Sequence, residues 1–329
     1  MITTMVTGGA GYIASRLVPE LVRSGRRVVV VDSLLYGQKA PQSSNDNSIA
    51  VRKIDINYLT LSDLSGIDEV IDLAAISNES VAERHPMLAW GTNDAGRRKV
   101  AALAARAGVR RYILPSSSNV YGAREDPYSE IDDIEPASVY SKANASAERG
   151  VLKLASPTFS PLVLRQATVF GWAPEMRYDL VVNAMAADLV MSGVCNVMGD
   201  GSQIRPFIWL DDLVEVYLAI LNEPPNSLGN AILNVGSAMD QFPVSQIPKM
   251  LGQAYGKPAA VAHYGELDKL SHRLDCTKVD SLLGRSIGPS FGKAARILLR
   301  EIAEYPEGVE VMRSQRRQFT DLRDSQVKR

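Results

Sequence analysis

The tightest constraint on the fold is a glycine-rich segment, Thr7-Gly8-Gly9-Ala10-Gly11-Tyr12-Ile13-Ala14, set between a short apolar run and an amphipathic stretch. Glycine at 8 and 11 permits a tight strand-to-helix turn, and Ala14 is small enough for the helix to pack closely on the strand. Short valine- and isoleucine-rich runs then recur at 2–6, 27–31, 49–54, 69–73, 111–114 and 161–165. Helix-like segments at 12–24, 86–107 and 138–155 separate them, with Gly25 and Gly108 as C-terminal stops. That alternation predicts an α/β fold, a doubly wound parallel sheet.

Beyond about residue 171 the rhythm shortens, which predicts a smaller C-terminal mixed α/β lobe for substrate. The expected division is 1–172 plus about 205–237 for the sheet domain, about 173–204 plus 238–306 for the lobe, and a polar tail at 307–329. A run at 207–210, a helix at 211–221 and a run at 232–235 read as a return to the sheet. The tail carries Arg313, Arg316, Arg317 and Arg323 and reads as a solvated terminus; 42–47 reads as a polar loop.

Hydrophobic residues make up 46% of the chain, enough for a sizeable core, and the net charge of -1 argues against nucleic acid or membrane as partner. Cys195 and Cys276 are too few for a disulfide framework or a four-ligand zinc site. With no basic leader and no apolar run of spanning length, the expected location is cytoplasmic, and no metal site is expected. His85 and His263 have no triad or metal pattern around them and read as structural.

The turn at Gly8 and Gly11, followed by Tyr12 and Ile13 at a helix start, would bring backbone N–H groups to a pyrophosphate. Asp32 closes the second run, some two dozen residues beyond Gly8, where a carboxylate accepts from the adenosine ribose and repels a 2′-phosphate. NAD is therefore expected rather than NADP. Ser33, then Asp55-Ile56 and Leu73-Ala74-Ala75 at later strand ends, extend the same site.

Together with Ser116-Ser-Ser-Asn-Val-Tyr-Gly122, Tyr140 at a helix start and Gly201-Ser-Gln-Ile-Arg205, these motifs resemble the extended short-chain dehydrogenase/reductases. That family includes UDP-galactose 4-epimerase and other nucleotide-sugar epimerases, dehydratases and decarboxylases. The resemblance covers almost the whole chain to about residue 300. It implies a Rossmann fold, NAD as cofactor, a nucleotide-sugar substrate, and a homodimer through the helices at 86–107 and 138–155. It makes Ser117 and Tyr140 catalytic, a hydroxyl and a phenol that exchange a sugar hydroxyl proton while hydride moves. Asn93 and Ala167 fall with the cofactor residues. Ser117, Ser118, Thr168, Asn183, Arg205, His272 and Arg273 fall to substrate, with Arg205 and Arg273 expected on the diphosphate.

One position departs from the family. Where the family has lysine four residues after the tyrosine, this chain has Asn144. An amide can hydrogen-bond the nicotinamide ribose but cannot lower the tyrosine pKa, and Lys142 points to another side of the helix. The expectation is a tyrosine that works best at high pH, improved at neutrality by Asn144→Lys, unless another cation compensates. The leading function is an NAD-dependent epimerase of a nucleotide sugar. A dehydratase lacks its Asp-Glu pair here, since Ser118 and Asn119 stand in its place; a ketoreductase and a non-catalytic NAD- or nucleotide-binding protein remain open.

Overall fold

The computed structural model describes residues 1–41, 48–225, 227–228 and 231–311. The loop at 42–47 and the tail arginines lie outside the described residues; the tail's first residues, 307–311, are helical, and Val309 is buried rather than solvated.

The first half of the chain runs β1 (Thr3–Thr7), α1 (Tyr12–Arg23), β2 (Arg27–Asp32), β3 (Ile49–Lys53), β4 (Glu69–Asp72), α2 (Glu79–Arg84) and α3 (Pro86–Trp90). A π-helical turn, Gly91–Gly96, joins α3 to α4 (Arg97–Ala107), so the helix expected over 86–107 is continuous but not uniform. Then follow β5 (Arg111–Ser117), α5 (Val139–Leu152), β6 (Ser160–Gln166) and β7 (Thr168–Phe170). The remainder is α6 (Val181–Ser192), β8 (Val194–Met198), β9 (Ile204–Trp209), α7 (Leu210–Asn222), β10 (Ile232–Val235) and β11 (Gln241–Pro243). It closes with α8 (Ile247–Tyr255), β12 (Ala260–Tyr264), α9 (Thr277–Leu283) and α10 (Phe291–Glu304).

Seven strands form the central sheet in the order β10-β6-β5-β4-β1-β2-β3, every pairing parallel. Side chains alternate between two cores. Val6, Val28, Val30, Ile71 and Ile113 face α1 and α7, while Met5, Val29, Val31, Val70 and Leu114 face α4 and α5. Burial on both faces is why the strands read as unbroken apolar runs. The order reverses beside β1, which opens a crevice between the C-terminal ends of β1 and β4, the usual ligand position in such sheets.

The expected return to the sheet is half right. β10 joins the seven-stranded sheet beside β6, but β9 pairs with β7 and β11 in a separate three-stranded sheet. Phe207 on β9 packs there against Phe170, Phe242 and Phe291 in an aromatic cluster. A two-stranded sheet, β8 with β12, completes the lobe.

Candidate active site

One large cleft, of about 1130 Å³, runs from the ends of β1–β4 to the lobe, above the size usual for a single drug-sized ligand. Gly8, Gly11, Tyr12, Ile13, Asp32, Ser33, Asp55, Ile56, Leu73, Ala74, Ala75 and Ala167 all line it. Gly8 has φ +61°, and a Cβ there would come within 2.7 Å of the backbone of Leu73 and Ala74. The turn and the strand end thus need glycine together. Behind that contact, Thr7 Oγ1 and the Tyr112 phenol both donate to the buried Asp72 carboxylate, and the Ala74 N–H donates to Thr7 Oγ1 at 3.2 Å.

Gly11 caps α1 without a side-chain hydrogen bond, so the helix presents backbone donors to the cleft. The Asp32 carboxylate accepts from Ala10 N–H at 3.0 Å and Leu34 N–H at 2.8 Å. Burial raises its pKa, and these two amides oppose the rise. Gln38 Nε2 also donates to its Oδ1 at 3.3 Å, which leaves a lone pair on Oδ2 for a ribose hydroxyl. The glycine cradle, uncapped helix and strand-end carboxylate fit a dinucleotide. Asn93 is a correction. It is fully buried with both ends of its amide on Ile76, accepting from its N–H at 2.8 Å and donating to its carbonyl at 3.0 Å. It therefore shapes the loop after β4 from behind the wall.

At the middle of the cleft, Ser117 ends β5 and Tyr140 lies in the first turn of α5, which Ser138 and Ser141 cap reciprocally. Ser117 and Tyr140 both line the cleft, and Ser117 Oγ accepts from Asn119 N–H at 3.2 Å. Burial pushes the phenol pKa up, while Arg97, Arg177 and the Ser117 hydroxyl pull it down and Glu79 adds to the rise. Asn144 is not at the cleft wall. It is 1% exposed; Oδ1 accepts from Arg97 Nη1 at 2.9 Å and Nδ2 donates to the Tyr140 carbonyl at 2.9 Å. The ribose contact expected of it is not made available, because both ends of the amide are used inside the protein. Lys142 is exposed, as its helical position implies.

The substrate end differs more from expectation. Ser118, Thr168 and Arg205 line the cleft. The Arg205 guanidinium pairs with Asp268 and donates to the Leu270 carbonyl, and its desolvation lowers its pKa. Asn183 is fully buried, accepting from Gly171 N–H at 3.0 Å and donating to the Tyr12 phenol oxygen at 3.2 Å. It fastens α6 to the glycine turn rather than facing a phosphate. Arg273 donates to the Glu125 carbonyl at 3.3 Å, away from the cleft. His272 sits behind the wall, its Nε2 2.9 Å from Ser118 Oγ, and burial depresses its pKa to about 3, keeping the ring neutral.

Three charged residues were not anticipated. Arg97 reads in sequence as the start of a basic surface run, Arg97-Arg98-Lys99, and only the fold turns it inward. Arg177 lines the cleft, held by Ser77 Oγ at 2.8 Å and Asp179 at 2.8 Å. Glu79, in the first turn of α2, lines it too; its Oε1 accepts from Asn119 Nδ2 and Ser138 Oγ, each at 3.1 Å. An acidic residue just after an Asn cap, the pattern Asn78-Glu79, marks a helix start but not the direction of the carboxylate.

A doubly wound sheet with a dinucleotide cradle and a Ser–Tyr pair at the mouth of a second lobe defines a nucleotide-cofactor enzyme of the extended dehydrogenase/reductase type. The model of the NAD dependent epimerase/dehydratase family matches residues 4–236, and the chain belongs to that family. Over 273 residues it is 27% identical to a UDP-glucuronate 4-epimerase of Thermodesulfobacterium geofontis, covering 78% of this chain and 81% of that one. It is 29% identical over 241 residues to UDP-glucuronic acid decarboxylase 1 of Arabidopsis thaliana, spanning 69% of this chain and only 54% of that longer protein. The fold matches MoeE5 in complex with UDP-glucuronic acid and NAD with a TM-score of 0.81 at 28% identity, over 91% of this chain and 98% of that one. NAD, the cofactor expected from Asp32, is named in both the family and this complex.

Proposed function

We propose that the chain is an NAD-dependent epimerase of a nucleotide-activated sugar, working through a transient keto sugar. The observation that carries this reading is the placing of Ser117 and Tyr140 in one cleft with the glycine cradle and with Arg205 of the lobe. Bound NAD would take a hydride from the sugar carbon and return it. Gly8, Gly11 and Asp32 would hold it, and Asp32 would set its preference over NADP. Tyr140 accepts the hydroxyl proton as the carbonyl forms and returns it as the alcohol re-forms; Ser117 shares the hydrogen bond to that oxygen. Arg205 and Arg177 offer positive charge to the diphosphate end or to an anionic sugar.

A second reading, elimination of water, is favoured by Glu79. Its carboxylate is held at Asn119, so helix α2 brings an acid–base group to the place where residues 118 and 119 lack one. Incubation with a panel of nucleotide sugars, read by mass spectrometry and proton NMR, separates the readings. Inverted stereochemistry at unchanged mass is the expected result; loss of water selects the dehydratase, net consumption of NADH the reductase, and tight NAD binding without turnover overturns the enzyme reading. Tyr140→Phe should lower turnover by about 10²–10⁴-fold.

A cytoplasmic homodimer completes the proposal. The free thiols of Cys195 and Cys276 are buried, which suits a reducing compartment. The alanine faces of α4 and α5 are spent on the chain's own sheet, so the dimer rests on exposed Met87 (79%) and Trp90 (38%) of α3. Light scattering should give twice the mass of one chain.

A further inference from the structure

We propose that Arg97 is the cation for Tyr140, and that Arg97 and Asn144 together do the work of the single lysine that residue 144 has lost. The proposal rests on the reading of Tyr140 as the proton acceptor and adds the group that tunes it.

The geometry is a relay of short contacts. Arg97 is 2% exposed and projects from the first turn of α4 toward the end of β4 and the second turn of α5. Its Nε donates to the Ala74 carbonyl at 2.9 Å, Nη2 to the Asp72 carbonyl at 3.3 Å and Nη1 to Asn144 Oδ1 at 2.9 Å. All three acceptors are neutral. Asn144 passes the restraint on, donating to the carbonyl of Tyr140 itself at 2.9 Å. A guanidinium held this way has little freedom to swing off to solvent.

Val81 and Ala82 of α2, Leu88 and Ala89 of α3, and Tyr36 pack with Tyr140 in one apolar cluster, and four segments bring charged or hydroxyl groups to bear on the phenol. Ser117 from β5, Arg97 from α4 and Arg177 from the segment before α6 favour its anion, and Glu79 from α2 disfavours it; of the favourable charges, Arg97 has the larger effect. Asp72 is the carboxylate on the other side of Arg97; it is buried with its pKa raised, and its bonds go to Thr7 and Tyr112. Arg97 is thus a positioning residue, acting on the substrate only through Tyr140.

This arrangement reverses the effect that the sequence suggests for restoring lysine. In Asn144→Lys the ammonium would replace the amide oxygen that Arg97 now contacts, putting two like charges together in a buried site. Restoring lysine should help only when Arg97 is neutralised.

The test is ultraviolet titration of the tyrosinate, taken as the difference from a Tyr140→Phe counterpart. It is run on wild type, Arg97→Met, Arg97→Lys, Asn144→Lys and the double variant Arg97→Met/Asn144→Lys. Arg97→Met should move the Tyr140 transition up by about one pH unit or more, the range expected for losing a neighbouring opposite charge. Arg97→Lys and the double variant should bring it back, while Asn144→Lys alone should melt below wild type. An unmoved transition in Arg97→Met, or an Asn144→Lys variant that is as stable as wild type with a lower transition, overturns the proposal. Should Arg97→Met fail to fold, the double variant decides: a folded protein with the wild-type transition supports the swap, and a displaced transition or failure to fold refutes it. The titration needs no substrate. Tyr140 ionisation that follows residue 97, in a protein that turns over no nucleotide sugar, would sink the proposed function and leave this inference standing.

Discussion

The two ends of the cleft were built under different rules. At the cofactor end, the wall is made of backbone turns that directly follow strands, and Gly8, Asp32, Asp55 and Leu73–Ala75 lie where a short local motif puts them. At the lobe end, the wall is made of long side chains from distant segments, and each has protein partners competing for it. Arg205 is shared with Asp268 and Leu270, while Asn183 and Arg273 are drawn off altogether. Recognition by main chain is fixed once the turn forms; recognition by side chain depends on which partner wins.

The comparison can be broken most sharply at Gly8. Gly8→Ala sets a Cβ against the Leu73 and Ala74 backbone at a φ unfavourable to alanine, with no flexible neighbour to give way. Strain of about 1–3 kcal/mol should weaken NAD binding roughly 5- to 150-fold in calorimetric titration. Retention of wild-type affinity would show that the turn can relax. Next comes Arg205→Ala, expected to weaken nucleotide-sugar binding about tenfold or more while leaving NAD alone. Asp268→Asn should strengthen it if the carboxylate competes for the guanidinium.

His272 sharpens the contrast through stability. Its pKa is about 3 in the folded protein against 6.5 for an ordinary histidine, so its neutral ring contributes stability above pH 6.5 that is lost as pH falls toward 3. The loss should approach about 1.4 kcal/mol per pH unit in that window, and His272→Gln should flatten the dependence of Tm on acid. Equal slopes for the two proteins would remove the ring from the account. The smallest effect is assigned to Arg273→Ala, whose nucleotide-sugar affinity should stay within about twofold of wild type; a tenfold loss would return it to the site.

The same division decides what was legible in the sequence. Periodicity located the central strands to within one residue at each end, except that β5 runs three residues past its expected end, because strands buried on both faces read as apolar runs. β9 misled because a strand in a small side sheet has the same apolar pattern as one at the main sheet's edge, and nothing local distinguishes them. Ser117 and Tyr140 were legible through motifs, and Asn144 was visible as a departure. Its remedy was not, since Arg97 lies 47 residues earlier on another helix. Asn93, Asn183 and Asn144 share one cause of misreading: a buried amide satisfies its donors and acceptors with nearby backbone, and sequence does not show which groups are near.

The π-helical turn at Gly91–Gly96 gives that remedy an angular origin. A helix advances about 100° per residue, and a π-type turn acts as one residue added to its phase. Everything after residue 96 is therefore rotated by roughly a quarter turn relative to a plain α-helix that began at Pro86. In an uninterrupted helix, a residue at 97 would be dialled away from the direction in which Arg97 now meets Asn144. The electrostatics of Tyr140 are in this sense set by helical phase: closing the π turn at unchanged chain length would rotate the cation out of register, whereas deleting one residue within 91–96 would let a plain α-helix keep it there.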